Sequence, residues 1–261
     1  MHNGKKPVVV KIGSECLFDI VKGSLEVHDE FFVKKAEEIK QLYDNGIYPI
    51  LVTSGAISLG LDISNKDLRT RTTEDNEPYL SALASVGQPE LQYHWGEAFR
   101  KVGLRAAQGL LHKPALENNE YLKSVLMEIS GLDAVPVLNE NDFLYNEELH
   151  GDNDRTSQMI SNIIGAKLLL FQVAEPHGFY GLNKEVIPHI AKIGDEHYQL
   201  CGDPSMLGSG TGMSGKLRVI EDANRSGVTV ILSNKEASLY NIIQKNYEGQ
   251  RTVFGDQARL L

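Results

Sequence analysis

Three charged residues far apart in the chain, Lys11, Asp154 and Lys216, are of the types needed to handle a phosphate. Two ammonium groups can bracket a transferring phosphoryl group, whose charge has to be stabilised more strongly in the transition state than in the reactant. Two such cations repel each other, and a carboxylate between them lowers that cost and restricts their rotamers. Asp154 can serve as that carboxylate. Each residue by itself has an ordinary reading: Lys11 as an edge-strand lysine reaching solvent, Lys216 as the end of a flexible surface loop.

Two polar clusters surround Asp154. Asn139-Glu140-Asn141-Asp142 follows the apolar run Ala134-Val135-Pro136-Val137-Leu138, which reads as a buried strand, and Gly151-Asp152-Asn153-Asp154 opens a helical pattern. Asp152 or Asn153 is the expected N-cap, and Ile160, Ile163, Ile164 and Leu168 recur at helical spacing after it. Either tetrapeptide alone reads as a turn. Together they place polar groups at a strand's carboxyl end and a helix's amino end, where ligands bind.

The segment Gly208-Ser209-Gly210-Thr211-Gly212-Met213-Ser214-Gly215-Lys216 adds closely spaced glycines ahead of a helix. Such a run lets backbone N–H groups approach phosphate oxygens while the helix presents its positive end. Gly210 through Lys216 fits most of the Walker A spacing, but Leu217 stands where that motif needs a Ser or Thr hydroxyl, and Cys201 through Met206 make a poor buried strand. A P-loop ATPase is therefore excluded, and a phosphate loop of another kind is expected. Gly13-Ser14 after Lys11 can expose further N–H groups beside an ammonium.

These residues need a scaffold, and the chain alternates strand-like and helical runs. Val8–Ile12 reads as a strand; Phe32, Ala36, Ile39 and Tyr43 mark a helix face stopped by Asn45-Gly46; Tyr48–Val52 is a strand running into Thr53-Ser54-Gly55-Ala56, where a helix begins. Residues 62–78 read as a polar surface excursion, 79–102 as helix, Arg105–Leu111 as strand and 121–129 as helix. Lys167–Val173 reads as a buried strand, Lys216–Arg225 as a helix closed by Gly227, and Val228–Leu232 as a strand. The expected fold class is α/β: an open, mainly parallel sheet between helix layers, with two lobes on one continuous sheet.

A chain of 261 residues with 41% hydrophobic and 23% charged residues is that of an ordinary globular protein. A net charge of -9 argues against a nucleic-acid or anionic-membrane surface. No segment is apolar for long enough to span a bilayer, the start lacks the apolar core of a signal peptide, and two cysteines are too few for a disulfide framework. A reducing cytoplasm is the expected setting.

With these pieces in order, the chain resembles the glutamate 5-kinase branch of the amino-acid kinase family. The resemblance runs over nearly the whole length, through Val9-Val10-Lys11-Ile12-Gly13, Val52-Thr53-Ser54-Gly55-Ala56, Ala84-Ser85-Val86-Gly87-Gln88, Val137-Leu138-Asn139-Glu140-Asn141-Asp142, Gly151-Asp152-Asn153-Asp154 and Gly210-Thr211-Gly212-Met213. It implies an amino-acid-binding lobe over about residues 1–165 and a nucleotide-binding lobe over about 166–261. It implies transfer of the ATP γ-phosphoryl group to the γ-carboxylate of L-glutamate, the first step of proline biosynthesis, with Mg²⁺ accompanying ATP. Carried over residue by residue, Lys11, Lys216 and Asp154 are catalytic, and Ser54, Asp142 and Asn153 hold glutamate. Lys11, Gly13, Ser14, Ala174, Glu175, Gly210, Thr211, Gly212, Met213, Ser214, Gly215 and Lys216 face the nucleotide. The resemblance nominates no protein ligand for the metal. It also implies a homo-oligomer and feedback inhibition by proline.

The chain departs from the family where Ala174-Glu175 replaces the usual Thr-Asp, and where the glycine loop is one residue shorter than Gly-Thr-Gly-Gly-Met. Many members of the family continue into a small PUA domain; this sequence stops soon after Thr252–Gly255, so a short form without it is expected. Two other readings stay open. One is a sister kinase acting on acetylglutamate or aspartate, which Asn139–Asp142 disfavours. The other is a catalytically weak sensor of glutamate or proline, which the two lysines and Asp154 disfavour.

Overall fold

The computed structural model describes residues 5–21, 24–64, 77–112, 116, 119–144, 152–201 and 212–261. Ten strands lie among them: β1 (Lys6–Ile12), β2 (Phe18–Val21), β3 (Ser24–Val27), β4 (Ile47–Thr53), β5 (Arg105–Leu111), β6 (Ala134–Glu140), β7 (Leu168–Val173), β8 (His189–Ile190), β9 (Thr229–Asn234) and β10 (Thr252–Phe254). Eight form one sheet in the order β5-β6-β4-β1-β7-β9-β10-β8, and β2 and β3 form a separate hairpin. All pairings in the large sheet are parallel except β10 with β9. The expected α/β architecture is therefore present.

Strand alternation sorts the side chains onto two faces. Val8, Val10 and Ile12 of β1 pack with Phe32, Ile39, Leu91 and Trp95, from the helices Asp29–Asp44 and Glu77–Lys101. Val9 packs on the opposite side with Ile160, Leu217 and Ile220, from the helices Asn153–Ile164 and Gly212–Arg225. Lys11, two residues beyond Val9, therefore points toward that second pair of helices. β1 has β4 on one side and β7 on the other, so Lys11 sits in the middle of the sheet and is buried. The edge-strand reading of Lys11 is corrected: which strands flank β1 is decided by long-range pairing, which its own sequence does not reveal.

The chain visits the β4-β6-β5 side of β1 first and then crosses to β7 and β9. The crevice at the carboxyl ends of β1 and β7 is thus the point where strand order reverses, the usual ligand position in open α/β sheets. The helix Asn153–Ile164 spans the crossover from β6 to β7.

Two boundaries differ from the sequence reading. β6 continues through Asn139 and Glu140, both buried, so half of the first polar cluster is strand rather than turn. The crossover helix ends at Ile164, with the Gly165 N–H bonding the Asn162 carbonyl, and Leu168 belongs to β7. The apolar residues on both sides of Gly165 make the two patterns merge. Gly151, the residues 202–206, and Gly210 and Thr211 of the glycine run lie outside the described residues, as does most of the 62–78 excursion.

The end of β4 is held in place by the long helix Glu77–Lys101. Trp95 Nε1 donates to Thr53 Oγ1 at 3.2 Å. Gly87 lets the two helices touch: a Cβ there would lie 2.0 Å from the Ala56 carbonyl oxygen, at the first residue of the helix Ala56–Ile63. Gly55, with φ +116, makes the turn between strand and helix that a side-chain-bearing residue rarely adopts. Ser54 is thereby fixed at the sheet's carboxyl edge.

Candidate active site

Asp154 is the second residue of its helix and only 4% of its side chain is exposed. Asp152 caps that helix by accepting from the Arg155 N–H at 2.9 Å, which settles the N-cap in favour of Asp152 over Asn153. A carboxylate in the first turn faces the positive end of the helix. Lys11 Nζ lies 2.9 Å from Asp154 Oδ1, and Lys216 Nζ lies 2.5 Å from Asp154 Oδ2. The three residues singled out from the sequence meet, one from a central strand and one from each of two helices.

Phe171 completes the group. It sits opposite Lys11 in the β1–β7 register, and the Lys216 ammonium lies 4.8 Å above its ring centroid. An aromatic face stabilises a desolvated cation. Phe171 belongs to an apolar run and carries no chemical signal in the sequence, so only the pairing register reveals it.

Burial disfavours the charged form of Lys11, but the Asp154 and Glu15 carboxylates together outweigh burial and hold the ammonium above the usual lysine range. Burial likewise pushes Asp154 up, while Lys11 and Lys216 pull it far below the usual carboxylate range. Two ammonium groups sharing one carboxylate at this edge are suited to phosphate. The depressed Asp154 and raised Lys11 values put the titration steps outside the neutral range. Asp154 stabilises the fold above the unfolded carboxylate value, and this is lost only as pH falls through its depressed folded value; the Lys11 contribution is lost only as pH rises above the usual lysine range. Urea unfolding from about pH 5 to about pH 9 should therefore show no step that disappears in Asp154→Asn. A neutral-range step specific to the intact chain contradicts this electrostatic picture.

The other expected site residues that the structure describes fall along the same edge. Gly13 and Ser14 follow β1, with Ser14 opening the short helix Ser14–Leu17. A Cβ on Gly13 would lie 2.3 Å from the Glu15 carboxylate oxygens, so Glu15 folds over this turn, and its charge also favours the Lys11 ammonium. Glu15 was not foreseen. Ala174 and Glu175 follow β7; the Ala174 carbonyl accepts from Asn234 Nδ2 at 2.5 Å, while Glu175 is exposed. Gly212, Met213, Ser214 and Gly215 are the first turn of the helix Gly212–Arg225 rather than loop, and Lys216 is its fifth residue. Glycine's poor helix propensity hides that turn in the sequence.

Asp142 follows β6 and borders a cleft of about 380 Å³ shared by Gln88, Gln92, Gln108, Glu140 and Asn141. Asn153 and Asn139 are buried and joined, Asn153 Nδ2 donating to Asn139 Oδ1 at 3.1 Å. Asn139 Nδ2 in turn donates to Gln88 Oε1 at 2.8 Å, and Thr156 Oγ1 donates to Glu140 Oε1 at 3.2 Å. Asp142 thus sits in a polar cleft at the end of β6, with β4 between it and the strand of Lys11, beside a row of side-chain amides.

The arrangement can hold an anionic phosphate at the lysines and a small zwitterion beside the amides. Among the described residues, no group of three or more His, Cys, Asp or Glu side chains is placed to hold a metal ion, and Asp154 is engaged by two ammonium groups. The described residues thus offer no fit for a protein-held metal. No helix among them is long and apolar enough to cross a membrane.

A family model described as the amino acid kinase family matches residues 6–232. Among curated relatives, glutamate 5-kinase of Methylococcus capsulatus is 35% identical over 248 residues, 90% of this chain and 64% of that protein. The enzyme of the same name from Chromobacterium violaceum is 34% identical over 241 residues, 88% of this chain and 62% of its own length. That of Lactococcus lactis is 30% identical over 246 residues, 88% of both chains. The chain thus spans less than two thirds of the first two relatives. Carbamate kinase from Giardia lamblia bound to AMP-PNP shares the fold, with a TM-score of 0.68 over 98% of this chain at 15% identity.

Proposed function

Since the chain belongs to the amino acid kinase family, we propose that it transfers the γ-phosphoryl group of ATP to the γ-carboxylate of L-glutamate. The observation that carries this is the Lys11–Asp154–Lys216 cluster, two nearly buried ammonium groups sharing one carboxylate at the reversal point of the sheet. The names of the relatives supply the substrate.

In this reading a glutamate γ-carboxylate oxygen attacks the γ-phosphorus, the bond to the β-phosphate oxygen breaks, and ADP leaves with that electron pair. No general base is required, because the attacking carboxylate is ionised near neutral pH. Lys11 and Lys216 neutralise charge on the transferring group and the leaving phosphate, and Asp154 keeps both aimed. The first turn of the helix Gly212–Arg225, with Gly212 to Gly215, offers N–H groups to the phosphates, and Gly13, Ser14, Ala174, Glu175, Gly210 and Thr211 are assigned to the same nucleotide site. Ser54, Asp142 and Asn153 hold glutamate. Magnesium travels with the nucleotide phosphates, which supply the hard oxygen ligands that it prefers. Residues 1–165 then form the amino-acid lobe and 166–261 the nucleotide lobe. A homo-oligomer inhibited by proline and a cytoplasmic setting belong to the same proposal.

Asp142 gives the discriminating test. Its carboxylate pairs with the substrate ammonium, so Asp142→Ala should raise the glutamate KM by about a hundredfold, the effect of about 3 kcal/mol for a buried cation left alone, with little change for ATP. N-acetyl-L-glutamate, lacking that charge, should be a poor substrate for the intact chain. An unchanged glutamate KM in the variant, or efficient use of the acetylated compound, overturns the assignment and favours the sister-kinase reading.

A further inference from the structure

The row of amides beside the cleft has a direction. Asn153 gives its NH₂ to Asn139, and Asn139 gives its NH₂ to Gln88. A primary amide carries an acceptor at one end and two donors at the other, so each link in such a row fixes how the next amide is turned. Gln88, at the end on the helix Glu77–Lys101, therefore decides which end of Asn153 is left over. What is left is a carbonyl: Asn153 Oδ1 is buried and has no hydrogen-bond partner among the described residues. Buried acceptors are ordinarily satisfied, and this one ends a row whose other end, Gln88, lines the cleft, so a ligand donor is the partner it lacks.

We infer that Gln88 is a positioning residue for substrate recognition: through Asn139 it turns the Asn153 carbonyl toward the cleft, so that Asn153 accepts from the substrate ammonium rather than donating to a carboxylate. This rests on the glutamate-kinase reading and makes the role of Asn153 in it specific. The placement of Gln88 follows from the fold. It is next to Gly87, whose missing side chain brings the long helix against Ala56 and so against the turn carrying Ser54. The amide row spans sequence separations of 51 and 14 residues, and no local pattern reveals it.

Two substitutions separate the alternatives. Gln88→Met keeps the length and apolar stem but releases the row. Gln88→Glu, ionised, can only accept, and so it still takes the Asn139 NH₂ and preserves the direction. The glutamate KM should rise about tenfold in Gln88→Met, the scale of one misdirected hydrogen bond, with the ATP KM moving by less than about twofold, and Gln88→Glu should recover most of the loss. Equal losses in both variants mean that the row runs the other way, and parallel changes in both Michaelis constants mean a merely structural role; either overturns the inference.

A second readout needs no turnover. In side-chain amide hydrogen exchange followed by NMR on the full chain, the Asn139 NH₂ should be protected in the intact protein and in Gln88→Glu, and exposed in Gln88→Met. Absence of protection in the intact protein overturns the inference whatever the substrate is. If the glutamate-kinase reading itself is at fault, the intact chain shows the protection but does not turn over glutamate.

Discussion

Lys216→Ala and Lys11→Ala should each lower kcat by about a hundredfold or more while the protein stays folded. Both parts of that expectation come from the same geometry. In the proposed mechanism each lysine stabilises charge that grows as the phosphoryl group transfers, and removing a transition-state donor is expressed in kcat rather than in substrate binding alone. Stability is spared because Asp154 keeps one partner in either variant, 2.9 Å away in one case and 2.5 Å in the other. Steady-state kinetics with L-glutamate and ATP, alongside thermal melts, measures both. Near-normal turnover in a folded variant removes that lysine from the mechanism.

Asp154→Asn is expected to behave differently, losing activity and stability together. The substitution preserves shape but leaves two ammonium groups, each with a side chain nearly buried, facing one another without a counter-charge. Breaking a buried ion pair from one side costs roughly 3–5 kcal/mol. Lys11, buried in the variant without its main counter-charge, favours its neutral form, so the unfolded chain binds more protons than the folded one, and stability should rise toward alkaline pH. The intact protein should show no such gain over the same range. Urea midpoints for both proteins at neutral and alkaline pH decide the matter; a variant as stable as the intact chain at neutral pH means that the lysines are not charged together in the crevice.

Most of the scaffold could be read from the sequence because its central strands are buried on both faces and so appear as continuous apolar runs: β1, β4, β6, β7 and β9 all did. Lys11, Asp154 and Lys216, which the fold brings together, could be grouped from their types, since two ammonium groups placed near one another need a carboxylate between them. What stayed hidden was non-local or short. The hairpin of β2 and β3, the two-residue β8 and the antiparallel β10 are too brief or too polar to show a period. The central position of Lys11, the Phe171 face under Lys216 and the Gln88–Asn139–Asn153 row depend on register and helix packing. Asn139 and Glu140 read as turn residues, yet they finish a strand, because the polar end of a strand at a binding edge breaks the apolar pattern that otherwise marks it.

The central claim, phosphorylation of free glutamate at its side-chain carboxylate, is tested most directly by ADP release from ATP with L-glutamate, N-acetyl-L-glutamate and L-aspartate in parallel. Turnover with L-glutamate well above the other two is the predicted result. The acetylated compound lacks the ammonium that Asp142 is placed to pair with, and aspartate is one methylene too short to bring its carboxylate to the phosphate while its ammonium stays on that carboxylate. Preference for N-acetyl-L-glutamate or L-aspartate, or no ADP release with any of the three, contradicts it.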